Sequence, residues 1–173
     1  YLNLEIYHYL KNQIQVENLK IFQQAKFIIF SSDYQNNDID ALEKVINEVK
    51  DKNKIIILSG HTADYNVIEK PLIDILMRSK FSLNPSQMQK KLYETLNKIK
   101  IKESVKIKQI AEKNNVIYFD KLSYACDSLR RLCHTTDEQN NLINYDRSHI
   151  GIEGAKFFGK SLFIKNFFEN LKF

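Results

Sequence analysis

The chain has 173 residues, of which 43% are hydrophobic and only six are glycine or proline, so we expect one domain with a substantial core. This composition excludes a disordered or fibrous protein. The net charge of +5 comes from 26 basic and 21 acidic residues, but no zinc finger or RNA-type aromatic motif accompanies it, and we do not expect nucleic-acid binding.

Helical and strand patterns alternate from the start of the chain. Apolar residues recur at helical spacing over residues 4–24, and the apolar run 26–30 predicts a buried strand. A helix that reaches about Lys50 should follow, with Asp38 or Asp40 as its N-cap.

The remainder of the chain continues this alternation. The predicted elements are a strand over 54–58, a helix over 68–78, one or two helices over 84–114, a strand over 116–119, a polar irregular segment over 121–145 and a helix over 153–171. Within the run 54–58, residues 55–58 are apolar throughout, which is typical of a central strand buried on both faces. The lysines of the 84–114 region are expected to solvate exposed helix faces. The alternation predicts an α/β fold with a mainly parallel sheet between two layers of helices.

A turn ahead of the last predicted helix contains Asp146-Arg147-Ser148-His149. An aspartate three residues before a histidine can hydrogen-bond one imidazole nitrogen, while the other nitrogen takes a proton from a nucleophile. In the alternative interpretation, Asp146 caps the helix and His149 packs against it.

Cys126 and Cys133 are the only cysteines, and their spacing fits neither a CxxC redox motif nor a zinc site. A loop disulfide, which would indicate an oxidising compartment, is the preferred interpretation, and two reduced thiols are the alternative. His8 and His134 have no companions that suggest a metal site, so no metal or cofactor is expected.

The tract Asp146, His149, Ile150, Gly151, Gly154, Ala155 resembles the last sequence block of the SGNH, or GDSL-type, hydrolase superfamily. The order Tyr118-Phe119-Asp120, the cysteine pair and Tyr145-Asp146 further resembles the SGNH domain that follows the membrane acyltransferase-3 domain in bacterial O-acetyltransferases. The resemblance is best over residues 116–160 and weaker over residues 26–65.

This resemblance implies a flavodoxin-like three-layer α/β/α sandwich, with residues 1–173 as a single SGNH-type domain. It implies a Ser-His-Asp triad with His149 as general base and Asp146 as its orienting partner. The family's nucleophile follows the first strand in a Gly-Asp-Ser block that this chain lacks. We therefore expect a C-terminal fragment whose first strand and serine lie upstream, since Ser31 and Ser32 are better explained as strand-end caps.

The oxyanion hole of the family uses a glycine amide and an asparagine side chain. Gly60 and Asn66 are the weak candidates here, and His61 could line the same pocket. Arg130 and Arg131 could meet an anionic sugar, although solvated loop charges explain them better.

The resulting hypothesis is O-acyl transfer, most simply of acetyl groups, to a cell-envelope polysaccharide or lipopolysaccharide sugar. The domain would work on the periplasmic side, tethered to the inner membrane by an upstream acyltransferase-3 domain. The alternatives are a free-standing GDSL-type esterase or lipase and a non-catalytic α/β binding domain.

Overall fold

The computed structural model describes residues 24–50, 53–66, 84–144, 149–164 and 167. The predicted helix over 4–24, except its last residue, the predicted helix over 68–78, and Asp146 lie outside the described residues. The chain divides into two compact units, the first made of residues 1–61 and 99–120 and the second of residues 62–98 and 121–173.

Among the described residues of the first unit, three parallel strands form a sheet. Strand β1 (Phe27–Phe30) pairs with β2 (Ile55–Ser59), and β2 pairs with β3 (Ile117–Phe119). The middle strand β2 is buried from its second residue onward, as its apolar run predicts. The predicted α/β fold with a parallel sheet is confirmed.

Helices α1 (Asn36–Val49) and α3 (Lys98–Lys113) add apolar side chains to the described core of this unit. This core consists of buried side chains from both helices, from β1 and β2, and from the connection between β1 and α1: Ile28, Phe30, Tyr34, Ile39, Leu42, Val45, Ile46, Val49, Ile56, Leu58, Ile107 and Ala111. Helix α1 begins earlier than predicted, because Gln35 and Asp38 form a capping box in which Asp38 accepts from the Gln35 N–H. Neither Asp38 nor Asp40 is the N-cap.

The first described helix of the second unit is α2 (Pro85–Glu94), which Asn84 caps through a hydrogen bond from the Gln87 N–H. The region 84–114 is therefore two helices. The segment 121–145, predicted as irregular, contains α4 (Leu122–Ala125) and a short antiparallel hairpin of β4 (Cys126–Asp127) and β5 (Leu132–Cys133). These elements have only two to four residues each, so they are too short to show a hydrophobic period in the sequence.

Helix α5 (Ile152–Ile164) is the last described helix and lies inside the predicted range 153–171 apart from its first residue. Within the described ranges, no helix has both the length and the apolar character needed to cross a membrane.

Candidate functional site

Four ionisable side chains gather in the first unit where β1 and β2 end. Asp33 follows the last residue of β1 by three positions, and His61 follows the last residue of β2 by two. Helix α3 supplies Lys100 and Glu103, which are one helical turn apart. Ligands of open parallel sheets bind beyond the carboxyl ends of the strands, so this charge cluster lies at the edge where a site is expected.

His61 lies at the centre of the charge cluster, with a carboxylate close to each ring nitrogen. Nδ1 is 3.4 Å from Asp33 Oδ1, and Nε2 is 3.1 Å from Glu103 Oε2. The side chains of His61 and Glu103 are only 4% and 7% exposed. Because each ring nitrogen lies within 3.4 Å of one of the protein's own carboxylates, His61 connects two loops and a helix.

Lys100 contacts the same two carboxylates from helix α3. Its Nζ is 2.8 Å from Asp33 Oδ1 and 3.4 Å from Glu103 Oε2, and it donates a 3.2 Å hydrogen bond to the Tyr34 carbonyl. Burial disfavours the ammonium, but the hydrogen bond and charge of Asp33, together with Glu103, outweigh it and raise the pKa of Lys100. The expectation that the lysines of this helix only solvate exposed faces is therefore wrong for Lys100.

Gly60 lies against Tyr118 at the same edge of the sheet. A Cβ at position 60 would overlap the Tyr118 hydroxyl and lie 3.2 Å from Ser104 Oγ, so only glycine fits this close approach. Its N–H donates a 2.9 Å hydrogen bond to the carbonyl of Phe119. Stabilisation of an oxyanion by this N–H would require that sheet hydrogen bond to open.

Ser104 connects His61, the residue after Gly60, to helix α3. The N–H of His61 donates a 2.9 Å hydrogen bond to Ser104 Oγ. Burial and the charge of Asp120 raise the pKa of Tyr118 to about 12, against an opposing hydrogen bond with Ser104. Gly60 and His61 are thus held by both backbone and side-chain contacts.

Asn66 belongs to the second unit, where its N–H donates a 2.7 Å hydrogen bond to the Thr95 carbonyl. Its side chain is exposed. The nearby Asp64 is buried and accepts hydrogen bonds from the backbone N–H and side-chain amide of Asn97, at 2.8 and 3.0 Å. Asn66 as an oxyanion donor stays a prediction.

The turn that contains Asp146 is bounded by well-defined contacts, although residues 145–148 lie outside the described part. Asn144 and Ile150 form an antiparallel bridge across it, and the Gly151 N–H donates a 3.1 Å hydrogen bond to the Ile143 carbonyl. His149, on the C-terminal side of the turn, is exposed. The bridge brings the two ends of the turn together and leaves the His149 side chain accessible to solvent.

The surroundings of Gly154 explain why the same tract has a glycine at this position. A Cβ there would overlap the carbonyl oxygen of Ile143 and lie 3.0 Å from its carbonyl carbon. The first turn of α5 therefore packs directly on the backbone of Ile143, which is itself fully buried. The glycines of the tract fix the helix against the chain that enters the turn.

Cys126 and Cys133 are joined by a disulfide between the paired strands of the β4–β5 hairpin, as predicted. Asp127 Oδ1 accepts hydrogen bonds from the N–H groups of Leu129 and Arg130, both at 2.9 Å, and so shapes the loop that the disulfide closes. Arg131 lies over the Tyr93 ring at 6.0 Å from its centroid. This cation–π contact gives Arg131 a partner within the protein.

Sequence reasoning missed the partners of His61. Asp33, Lys100 and Glu103 carry no motif, and a lysine three residues before a glutamate is common on exposed helices. The detectable signal was the position of Asp33 and His61, each just beyond a predicted strand.

No protein-family model and no curated protein sequence matches this chain. The chain is similar in structure to the periplasmic domain of a lipopolysaccharide acetyltransferase from Salmonella ser. Paratyphi A, with a TM-score of 0.62 and 18% sequence identity. The match covers 84% of this chain and 58% of that domain. The chain therefore spans little more than half the length of this structure, and the likeness shows a shared fold.

Proposed function

We propose that this domain transfers an acyl group, most simply acetyl, to a carbohydrate of the cell envelope through a Ser-His-Asp triad. The observation that carries the proposal is the fold shared with the periplasmic domain of a lipopolysaccharide acetyltransferase, in a chain with the Asp146-x-x-His149 tract. Neither the tract nor the fold would suffice alone, because short motifs recur by chance and one fold serves many activities.

His149 acts as the general base, and Asp146 orients its imidazole. The His149 side chain is exposed on the C-terminal side of a turn whose ends are paired, which suits a base that must reach a substrate. The carboxylate stabilises the imidazolium formed when the base takes a proton from the nucleophilic serine. The serine oxygen bonds to the acyl carbon of the donor, the bond between that carbon and the donor's leaving group breaks, and the leaving group takes the proton from His149. A sugar hydroxyl then attacks the acyl-serine, and His149 passes the hydroxyl proton to the serine oxygen as the serine–acyl bond breaks.

We infer the position of the serine from the strand order. A flavodoxin-like sheet has the order 2-1-3-4-5, in which the third, fourth and fifth strands form the only run of three that is consecutive both in sequence and in space. The described parallel strands β1, β2 and β3 form such a run, which supports equating them with those three. The family's nucleophile follows the first strand, and its equivalent here would therefore precede Phe27 in the sequence.

The disulfide supports an extracytoplasmic setting, because such bonds persist in oxidising compartments. We propose that the domain works on the periplasmic side, in one protein with a membrane acyltransferase-3 domain that supplies the acyl group. Residues 1–173 would form one SGNH-type domain in this arrangement.

The test is acetyl transfer by the full-length protein carrying His149→Ala. Removal of the base should lower the rate by about 10²- to 10⁴-fold, and added imidazole should restore part of it because position 149 is exposed. Asp146→Asn should lower the rate while leaving serine labelling by a fluorophosphonate measurable. An unchanged rate in His149→Ala, with folding verified by circular dichroism, would exclude the triad.

The same assay separates transfer from hydrolysis. Transfer predicts that acetate release from p-nitrophenyl acetate falls when an acceptor polysaccharide is added and that acetyl groups appear on the sugar. A free-standing esterase predicts acetate release that the acceptor does not change. A non-catalytic binding domain predicts neither labelling nor turnover.

A further inference from the structure

A cleft of about 370 Å³ lies in the second unit between helix α5 and the turn after Thr136. The turn and one face of the helix supply its lining: Asp137, Glu138, Gln139, Glu153, Lys156, Phe157, Lys160 and Ser161. This volume is near the lower end of small-molecule sites, which span about 300–1,000 Å³, so the cleft suits a single small unit.

Phe157 provides an apolar surface within the cleft. Its ring is half-buried and packs against His134 and Phe158, with ring centroids 5.0 and 5.7 Å away. The face of an aromatic ring carries partial negative charge, which attracts the slightly positive C–H bonds on the flat side of a pyranose. These neighbours hold the Phe157 ring in place before any ligand arrives.

Ion pairs form the polar walls of the cleft. Lys160 Nζ lies 2.8 and 3.0 Å from the two carboxylate oxygens of Glu138, and Lys156 Nζ lies 2.7 Å from Glu153 Oε1. Paired lysines and carboxylates still offer donors and acceptors to hydroxyl groups. Each ammonium already has its counter-charge, so neither attracts an anionic ligand strongly.

The turn that faces helix α5 is fixed by Asp137. Its carboxylate accepts hydrogen bonds from the N–H groups of Gln139 and Asn141 and from the Asn141 side chain, at 2.8 to 3.0 Å. The side-chain hydrogen bond of Asn141 is the main cause that lowers the pKa of Asp137. Three carboxylates and two ammonium groups give the lining a net charge of −1.

From this combination we propose that the cleft binds one unit of a neutral, hydroxyl-rich saccharide, with Phe157 beneath its C–H face and Glu138 and Lys160 bonding its hydroxyls. The assignment rests on the proposed function in taking this sugar as part of the acyl acceptor. Helix α5 begins three residues after His149, which places the cleft close along the chain to the proposed base.

The probe is methyl α-D-glucopyranoside, titrated into the isotopically labelled protein and followed by amide chemical shifts and saturation-transfer NMR. Shifts confined to residues 137–141 and α5 are expected. D-glucuronate, which adds a carboxylate to the same ring, should bind several-fold more weakly. Binding of glucuronate that is as tight or tighter, or shifts located elsewhere, would overturn the proposal.

Phe157→Leu keeps an apolar side chain but removes the aromatic face, so the glucoside should bind roughly three- to tenfold more weakly. Phe27→Leu is the matched control, because Phe27 is likewise half-buried but belongs to the first unit and does not line the cleft. Equal affinities for the two variants would contradict the proposed stacking. If Phe157→Leu does not fold, glucoside affinity is compared between Lys160→Gln and Lys91→Gln instead. Lys160→Gln changes a side chain that lines the cleft, whereas Lys91→Gln removes an exposed ion pair elsewhere.

The proposed saccharide cleft and the proposed acyl transfer can be refuted separately. Glucoside binding in the cleft by a protein that never transfers acetyl would refute the proposed function alone. Acetyl transfer with an acceptor KM that Phe157→Leu leaves unchanged would refute the cleft alone.

Discussion

The imidazole Nε2 of His61 lies 3.1 Å from the carboxylate of Glu103 inside the first unit, where both side chains are less than a tenth exposed. Burial of ionised groups costs several kcal/mol each unless partners compensate for the lost hydration. Here Asp33 and Lys100 complete the set, so each charge has an opposite charge close by. The charge cluster therefore connects the ends of β1 and β2 to helix α3.

Glu103→Gln should lower the free energy of unfolding by about 1–3 kcal/mol, because the amide keeps the shape but leaves Lys100 and His61 without a buried charge partner. Urea denaturation at neutral pH provides the measurement. Glu112→Gln, on the exposed part of the same helix, removes a 3.9 Å pair with Lys108 and should cost less than about 0.5 kcal/mol. Similar losses in the two variants would contradict a special role for the charge cluster.

Alkaline pH should destabilise the protein through Lys100 and Tyr118. The folded state raises the pKa of Lys100 above 10.5 and that of Tyr118 from 10.0 to about 12, so it binds both protons more tightly than the unfolded state. The resulting stability is complete below the unfolded pKa values and is lost as pH rises through the folded ones. The urea midpoint should therefore fall between about pH 9 and pH 12.

Two variants separate these contributions. Tyr118→Phe and Lys100→Met should each reduce the fall of the urea midpoint with pH, because one linked proton is gone. The fall should not vanish in either variant, because burial also raises the pKa values of Tyr34 and Tyr65. Absorbance at 295 nm should show Tyr118 titrating after exposed tyrosines. A wild-type midpoint that stays constant over this alkaline range would show that neither pKa is raised.

The sequence alone predicted those strands and helix ends whose signal lies in neighbouring residues. After Lys54, the run 55–58 has no polar residue, and β2 is the middle strand of the described parallel sheet. Asn84 and Pro85 predicted the start of a helix correctly. Gln35 is a poor N-cap by type and was missed, because its capping box depends on the Asp38 side chain turning back to the Gln35 N–H.

The sequence was insufficient where function depends on which residues meet in space. Lys100 looks like any other lysine of α3, and only folding brings it to Asp33 and the Tyr34 carbonyl. The meeting of Asn144 and Ile150 around the Asp146 turn is equally absent from the sequence. The cysteine pair was predictable because a short loop limits the possible partners of each thiol.

Removal of the disulfide through Cys126→Ser and Cys133→Ser should lower the free energy of unfolding by about 2–3 kcal/mol, since the closed loop is short. Urea denaturation of the oxidised, reduced and doubly substituted proteins measures this difference. Mass spectrometry of native protein should find no free thiol. Two free thiols in protein isolated without reductant would remove the support for an oxidising compartment.

Gly60→Ala should cost about 1–3 kcal/mol, because the new methyl group would overlap the Tyr118 hydroxyl. Tyr118→Phe removes the atom responsible, so the double variant should lose less stability than the two single losses added together. Thermal or urea unfolding of all four proteins completes the cycle. Strict additivity would mean that the Tyr118 hydroxyl does not determine the need for glycine at position 60.

Two glycines of helix α5 offer a matched pair for the proposed catalytic turn. A Cβ at position 154 would overlap the backbone of Ile143, which cannot swing aside as a side chain could, whereas a Cβ at position 159 meets nothing within 4 Å. Gly159→Ala should therefore stabilise the protein by up to about 1 kcal/mol through helix propensity. Gly154→Ala should destabilise it by about 1–3 kcal/mol despite the same gain.

Comparison of Gly154→Ala with Gly159→Ala also tests whether the packing of α5 on Ile143 affects catalysis or only stability. Displacement of Ile143 in Gly154→Ala would disturb the Asn144–Ile150 bridge that bounds the turn of Asp146 and His149. The kcat for acyl transfer should therefore fall at least about tenfold below that of Gly159→Ala at temperatures where both variants are folded. If Gly154→Ala lost stability but kept the kcat of Gly159→Ala, the packing of α5 on Ile143 would stabilise the fold without positioning His149.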